Sequence, residues 1–333
     1  MSRYRVDIEP GNPNDSHYQV VELVGSGQDV LDVGCAEGDV ARRLQELGNR
    51  VSGLDRDEKA AEKARPDLEN VVVADLDTSS LLEHFDAASF DVVLLADVLE
   101  HLKEPSRALR DATTLLRDGG RLVLSVPNVA HGALRLALLQ GRWEYTETGL
   151  LDNTHLHFFT RSSLFELVEG AGLAVDELRA TVADPLAVEV DLDPDRVPPT
   201  VVEWVRHQPD ALHYQFVLTA RRADVDEPVP RPRVRPAVPL DSVRAEDAYS
   251  EQMREQQDLR HRLLTTRDHI IGLEAKTAAW KKKEVDARTQ MKLARQRAAQ
   301  QRRDIEQSAT WRAGRVVTAP LRWFGAAGPK GRR

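Results

Sequence analysis

The chain has 333 residues, 41% of them hydrophobic, and a formal net charge of −8, so it can bury a substantial core but is not a uniformly basic protein. Its single cysteine excludes an intrachain disulfide and points to a reducing compartment. The charge is uneven. Residues 243–333 hold 21 Lys and Arg against 11 Asp and Glu, while the remainder holds 25 against 43. An acidic body with a basic tail argues against a nucleic-acid substrate, which calls for a basic working face. No apolar N-terminal leader and no run of eighteen apolar residues is present, so neither secretion nor membrane spanning is expected.

Residues 1–14 read as a polar arm, and Asp15 to Val24 as a short helix over a ligand site, with His17 and Tyr18 facing it. The organising stretch comes next, Val30-Leu31-Asp32-Val33-Gly34-Cys35-Ala36-Glu37-Gly38-Asp39-Val40. It reads as a buried strand, a small-residue turn and the start of a helix. Such a turn lets the backbone approach a ligand, and the helix start offers unpaired N–H groups. Arg50 to Asp55 is a second strand ending in a carboxylate, some twenty residues past the turn, where a nucleotide-binding fold places the acid that accepts from ribose hydroxyls. A third strand, Val71 to Ala74, ends at Asp75-Leu76, and a fourth, Phe90 to Asp97, runs into Val98-Leu99-Glu100-His101-Leu102. A fifth covers Arg121 to Val126 and stops at Pro127-Asn128. Helices are expected near 37–48, 57–65 and 105–117. This alternation predicts a parallel sheet with helices on both faces.

Asp32 followed by small residues at Gly34, Ala36 and Gly38 resembles motif I of class I S-adenosylmethionine (SAM) methyltransferases, with alanine in place of the middle glycine. Asp75-Leu76 and Asp97 to Leu102 resemble that family's later signatures in the same order. The resemblance implies a Rossmann-like seven-stranded sheet and SAM as cofactor. It implies that Gly34, Ala36 and Gly38 let the turn approach the cofactor, with Asp32 on the methionine amino group, Asp55 on the ribose, Asp75 and Leu76 at the adenine, and Asp97 also among the cofactor-binding residues. Some quinone O-methyltransferases of the family hold a divalent metal at an acid–acid–His cluster similar to Asp97, Glu100 and His101. Here Glu100 is read as a turn cap, His101 as a packing residue near the cofactor, and no metal is assigned. Cys35 is read as a small packing residue.

Beyond Asn128, Ala130 to Gln140 is an apolar helical stretch, and residues 149–160 gather Asp152, His155, His157 and several aromatics, the make-up of a pocket wall. The family builds its acceptor site at this point of the fold. A base for a hydroxyl acceptor is expected among His155, His131 and His101, since imidazole titrates near neutral pH. Thr160 caps a helix to Gly170. Leu173 to Val182 and Tyr214 to Ala220 fit a closing antiparallel pair, with residues 184–210 as part of an acceptor lid. The pattern from Asp152 through Phe159 to Gly172 is similar to methyltransferases of glycan and natural-product pathways.

The resulting domain reading is a methyltransferase domain at 1–222, a proline-rich linker at 223–242, a coiled coil at 243–307 and a basic aromatic tail at 308–333. The coiled coil rests on a seven-residue spacing of Leu263, Ile270, Met291, Ala298 and Ile305, with Leu259, Leu273, Trp280, Ala287 and Ala294 alongside; Thr277 and Glu284 interrupt it. It suggests a homo-oligomer or complex. The tail suits peripheral contact with a membrane surface, giving a cytoplasmic protein held at the inner membrane face. Three functions stay open: O-methylation of a sugar in a surface glycan, O-methylation of a free small molecule such as a quinone or polyketide, and a non-catalytic SAM-fold scaffold.

Overall fold

A computed structural model describes residues 8, 11–193, 196–223 and 230–244, and farther on 273, 276–277, 280–285, 287–304 and 307. The chain divides into two units, Met1–Gln257 and Asp258–Arg333.

In the first unit the strands are β1 (Asp29–Val33), β2 (Arg50–Asp55), β3 (Asn70–Val73), β4 (Phe90–Ala96), β5 (Leu116–Pro127), β6 (Leu173–Val182), β7 (His213–Arg222) and β8 (Val234–Pro236). They form one sheet in the order β3-β2-β1-β4-β5-β7-β6-β8. The first five are mutually parallel, and β7 runs antiparallel to both β5 and β6. The helices are α1 (Ser16–Val24), α2 (Asp39–Glu46), α3 (Glu58–Ala64), α4 (Pro105–Leu115), α5 (Gly132–Leu139), α6 (Arg161–Gly170), α7 (Pro199–Arg206) and α8 (Leu240–Arg244).

The central strands are apolar on both faces because helices cover both. Leu31, Val93, Leu95, Leu122 and Leu124 point into a core shared with α4 and α6. Their chain neighbours Val30, Val92, Leu94 and Val123 point into the opposite core, shared with α1, α2 and α3. Period-two alternation thus appears as two apolar sets rather than apolar and polar ones. Charged residues at the amino ends pair with one another, as Arg117 does with Asp29 and Asp91, while the polar residues at the carboxyl ends face the site.

Local signals end the helices as expected. Asp15 caps α1 by accepting from the Tyr18 N–H, and Thr160 forms a capping box with Ser163 at the start of α6. An arm contact adds to the N-terminal side: the Asn14 amide donates to the Val182 carbonyl and accepts its N–H at 2.9 and 2.8 Å.

The sheet has eight strands, not the seven expected. The segment read as a linker at 223–242 supplies the eighth. Its Val234–Pro236 pairs in parallel with Leu178–Ala180 of β6, Arg231 ion-pairs with Glu169 at 2.7 Å and lies over the Phe165 ring at 5.1 Å. Proline suits this place because an edge strand uses only one side of its backbone.

Two smaller apolar clusters lie outside the sheet. One joins α5 to Leu150, Leu151, Val188 and Val190, and the other joins Leu136 to Val197, Val202 and Val205 around α7. They tie residues 128–160 to residues 184–212.

In the second unit the described residues 280–285 and 287–304 are helical and exposed. Trp280 and Met291, both in the heptad pattern, are 75% and 60% exposed. Leu259, Leu263, Ile270 and Ile305 of that pattern, and residues 308–333, lie outside the described residues.

Candidate active site

A cavity of about 500 Å³ opens at the carboxyl ends of β1, β2 and β4. Asp32, Gly34, Ala36, Asp55, Asp75, Leu76 and Asp97 all line it, together with His101 and His155. Gly38 stands behind the lining as the left-handed N-cap of α2, at φ 81°. His131 is not among the lining residues.

The turn after β1 is held by the end of β2. Gly34 and Cys35 N–H groups both donate to the Leu54 carbonyl, and the Ala36 N–H donates to Asp55 Oδ2 at 2.8 Å. Asp55 Oδ1 accepts the Asp57 N–H at 2.8 Å. Each carboxylate oxygen is thus oriented by one backbone donor and keeps a lone pair for a ligand. Ala36 adopts φ 45°, the left-handed region, in the middle-glycine position of the motif. A Cβ on Gly34 would meet Val98 Cγ2 at 2.7 Å, so the turn packs directly on the segment after β4. Cys35 is buried against Gly53, where a Cβ would meet its Sγ at 2.7 Å. Burial, with Asp32 and Asp55 nearby, pushes the thiol up, consistent with a packing role.

Asp32 is 3% exposed. Desolvation, reinforced by Asp55, raises its carboxyl to about 7. A buried carboxylate in this condition is stabilised by an incoming cation.

Asp97 ends β4 in a left-handed conformation, φ 55°. Ser125 Oγ donates to its Oδ1 at 2.8 Å, the Gln215 amide donates to the same oxygen, and His17 Nε2 lies 3.7 Å from Oδ2. Ser125, Gln215 and His17 come from β5, β7 and α1, so three elements aim one carboxylate. His17 lines the cavity as expected; Tyr18 does not, and its hydroxyl instead donates to Glu22 at 3.4 Å.

The segment after β4 meets the 128–160 insertion at two histidines. The His101 and His155 rings pack edge to face with centroids 4.8 Å apart. His101 Nδ1 lies 3.0 Å from Thr154 Oγ1, which donates to Asp152 Oδ1 at 2.7 Å. Because that hydroxyl proton goes to Asp152, Thr154 accepts from the His101 Nδ1–H, and the neutral ring carries its lone pair on Nε2. Desolvation lowers both histidines, and His101 adds to the effect on His155.

Glu100 corrects the expectation of a turn cap. It is 1% exposed, and neither carboxylate oxygen has a hydrogen-bond partner among the described residues. Desolvation, then the nearby Asp97, pushes its carboxyl well above the usual range. Glu100, His101 and His155 each offer a ligating atom within 4.8 Å of the others. The acid–His cluster therefore recruits His155 from the insertion rather than Asp97.

His131 also departs from expectation. It is fully buried and caps α5, its Nδ1 accepting the Ala133 N–H at 3.3 Å and its Nε2 facing the Ala183 carbonyl at 3.1 Å. Desolvation lowers it to about 4. Both nitrogens serve the fold, so it is not placed as a base.

Sequence reasoning placed Asp152 in the pocket wall, where it lies, but missed Thr154, Tyr214 and Gln215. Thr154 directly precedes His155, and that adjacency was the available signal. Tyr214 and Gln215 carry no local signal: they are neighbours near the start of β7, and only the tertiary fold brings both to the cavity.

Comparison with known proteins agrees with this geometry. Residues 18–178 match the family model described as "Methyltransferase domain". The chain is 31% identical over 179 residues to a "Ubiquinone biosynthesis O-methyltransferase" of Xanthomonas axonopodis pv. citri, covering 52% of this chain and 74% of that protein. It is 29% identical over 190 residues to a protein of the same name from Coxiella burnetii, covering 55% and 80%. A solved SAM-dependent methyltransferase from Thermotoga maritima, titled a possible histamine N-methyltransferase, is 19% identical, with TM-score 0.45 over 62% of this chain and 88% of that one. With its acid-tipped strands, its cradle and these relatives, the chain belongs to the class I SAM-dependent methyltransferases and uses S-adenosylmethionine as its cofactor.

Proposed function

We propose that the protein O-methylates a hydroxylated small molecule that is uncharged at its reacting end, with His101 as the base. The observation that carries this reading is the Asp152–Thr154–His101 chain, which aligns an imidazole on the acceptor side of the cavity. The name of the relatives that match over about half of this chain supports a small-molecule acceptor. Arg56 is the lone Lys or Arg among the lining residues and belongs to the β2 end, beside Asp55 and Asp57. The acceptor end, with Asp97, Glu100 and Asp152, disfavours a carboxylate or phosphate there. A sugar of a surface glycan remains the second acceptor class to test.

SAM supplies an electrophilic methyl group on a sulfonium. Asp32 would hold its ammonium end, Asp55 the ribose hydroxyls on the lone pairs left by Ala36 and Asp57, and Asp75 with Leu76 the adenine. Gly34, Ala36 and Gly38 keep the turn low enough for close approach. Asp97, aimed by Ser125, Gln215 and His17, fixes the floor between cofactor and acceptor. His101 Nε2 takes the hydroxyl proton as the acceptor oxygen is alkylated, and Thr154 with Asp152 holds the ring in that tautomer. His155 walls the other side and excludes water.

The donor set of Glu100, His101 and His155 also fits a divalent cation, which would polarise the acceptor hydroxyl. The deciding experiment supplies labelled SAM with catechols, monophenols, nucleotide sugars and polyprenyl-linked glycans, with and without a chelator. Transfer to phenolic acceptors that survives chelation and falls about 100-fold or more in His101→Ala supports the base. Loss on chelation, restored by a metal, reassigns the three side chains to a metal site. Label on glycans alone overturns the small-molecule reading.

The tail at 243–333 is proposed to join copies of the chain through its heptads and to contact an anionic membrane through residues 308–333. No helix among the described residues is long and apolar enough to cross a membrane. Light scattering of the full chain and of a chain ending at Arg244 tests the first, and co-sedimentation with anionic vesicles tests the second. Equal mass per particle in chain equivalents, or equal sedimentation, sinks the respective idea.

A further inference from the structure

We propose that Tyr214 and Glu189 form a recognition subsite that takes a second hydroxyl of the acceptor, adjacent to the one methylated. This rests on the reading of the acceptor as a hydroxylated small molecule. Tyr214 lines the cavity next to Gln215, whose amide holds Asp97. Its phenol oxygen lies 2.9 Å from each Glu189 carboxylate oxygen. Glu189 Oε1 also accepts the Leu150 N–H at 2.6 Å. Three segments therefore converge on one carboxylate: β7, the 184–192 stretch and the 146–152 loop.

The convergence is built closely. Gly149 adopts φ 94°, and a Cβ there would lie 2.1 Å from Glu189 Oε1. Only glycine lets the loop reach the carboxylate in this conformation. The Tyr214 ring meets the His131 imidazole edge to face at 5.6 Å, and His131 is itself pinned by Ala133 and Ala183. This gives His131 a positioning role one layer behind the pocket.

Packing does not require this arrangement. The surroundings are Leu150, Leu151, Val188 and Val190, an apolar cluster into which a carboxyl group is costly to bring. An apolar side chain of similar volume at 189 would fill the same space but leave the Leu150 N–H unpaired, and that one N–H does not call for a tyrosine as well. What the pair adds is polarity with a direction. A phenol has one proton, and Glu189 takes it. Tyr214 then presents only oxygen lone pairs to the cavity. A ligand group facing it must donate, and a hydroxyl does so while a methoxy or keto group does not. A site shaped to accept a hydrogen bond discriminates against the analogue that lacks the donor. The product of a first methylation at that position would be rejected on the same ground, so the subsite also favours transfer of a single methyl group.

The test compares kcat/KM for a catechol, the matching monophenol and the matching 2-methoxyphenol, in the wild-type protein, Tyr214→Phe and Glu189→Gln. S-adenosylhomocysteine binding and thermal denaturation first establish that each variant is folded. The wild type is expected to prefer the catechol by about 3- to 10-fold or more, the range of one net hydrogen bond, with the difference in KM. Tyr214→Phe is expected to abolish that preference, read as the ratio of catechol to monophenol kcat/KM within the one variant. In Glu189→Gln the amide can donate to the phenol oxygen, freeing the tyrosine proton for the ligand, and the balance is expected to move toward the 2-methoxyphenol. A catechol preference unchanged in Tyr214→Phe overturns the subsite. If no phenol is methylated by the wild-type protein, the small-molecule reading itself has failed.

Discussion

The imidazoles of His101 and His155 meet edge to face with centroids 4.8 Å apart, one from the turn after β4 and the other from the insertion after β5. His131, from the same insertion, is instead locked into the cap of α5. The two insertion histidines should therefore fail differently. His155→Ala is expected to lower methyl transfer about 10- to 100-fold with a small change in melting temperature. His131→Ala removes a helix cap and a buried ring, and is expected to cost about 2–4 kcal/mol of stability. Denaturant titration beside single-turnover kinetics separates them. Equal stability losses would contradict this division of roles.

Asp55 holds the turn and lines the cavity with the same carboxylate, the one proposed to take the ribose hydroxyls. In Asp55→Asn one backbone donor, from Ala36 or Asp57, must face an amide NH2 instead of oxygen. Affinity for S-adenosylhomocysteine is expected to fall about 10-fold or more, read by calorimetry. Unchanged affinity would remove Asp55 from the cofactor site.

Asp32 makes the unliganded protein sensitive to pH. Its carboxyl is raised to about 7 by burial, against an ordinary value near 4 in the unfolded chain. Between these values the folded state binds more protons than the unfolded one. Stability therefore falls as pH rises from about 4 to about 7, by an amount on the order of a few kcal/mol. The ionised form favours an ammonium ligand, so S-adenosylhomocysteine affinity should rise across the upper part of this window. Asp32→Asn should flatten both trends. Thermal denaturation across pH, with and without S-adenosylhomocysteine, checks each sign. A wild-type stability that climbs from pH 5 to 7 in step with the Asp32→Asn variant would refute the assignment.

The eighth strand gives a prediction about truncation. A chain ending at Ala223 lacks β8 and the Arg231 contacts to Glu169 and Phe165. A chain ending at Arg244 keeps them. The shorter chain is expected to melt several degrees lower, since about 1–2 kcal/mol corresponds to a few degrees in a domain of this size. Identical melting temperatures would show that β8 adds nothing to the domain.

Much of the cofactor side was legible from sequence because each part is local. Asp32, Asp55 and Asp75 stand at or next to the ends of apolar strands, and a strand end defines both its own direction and the face of the sheet it reaches. The small residues at Gly34, Ala36 and Gly38 announce a turn whose positive φ angles are a property of those few residues. The Thr160 cap and the α1 start were readable for the same reason.

The acceptor side was not legible in this way. His155 and His131 look alike in sequence, as ring-bearing residues of one insertion, and only packing separates them. Glu100 looked like a turn residue until the insertion closed over it and removed its partners. The Glu189–Tyr214 contact and the pairing of β8 with β6 join segments with no shared pattern, so periodicity holds no trace of them. By itself the sequence determined the fold class, the cofactor and the acids that line the cavity, because strand ends and tight turns are written in adjacent residues. Tertiary structure alone decided which histidines meet, which carboxyl is left buried without a partner and which tyrosine pairs with Glu189, because those depend on which distant side chains exclude water together.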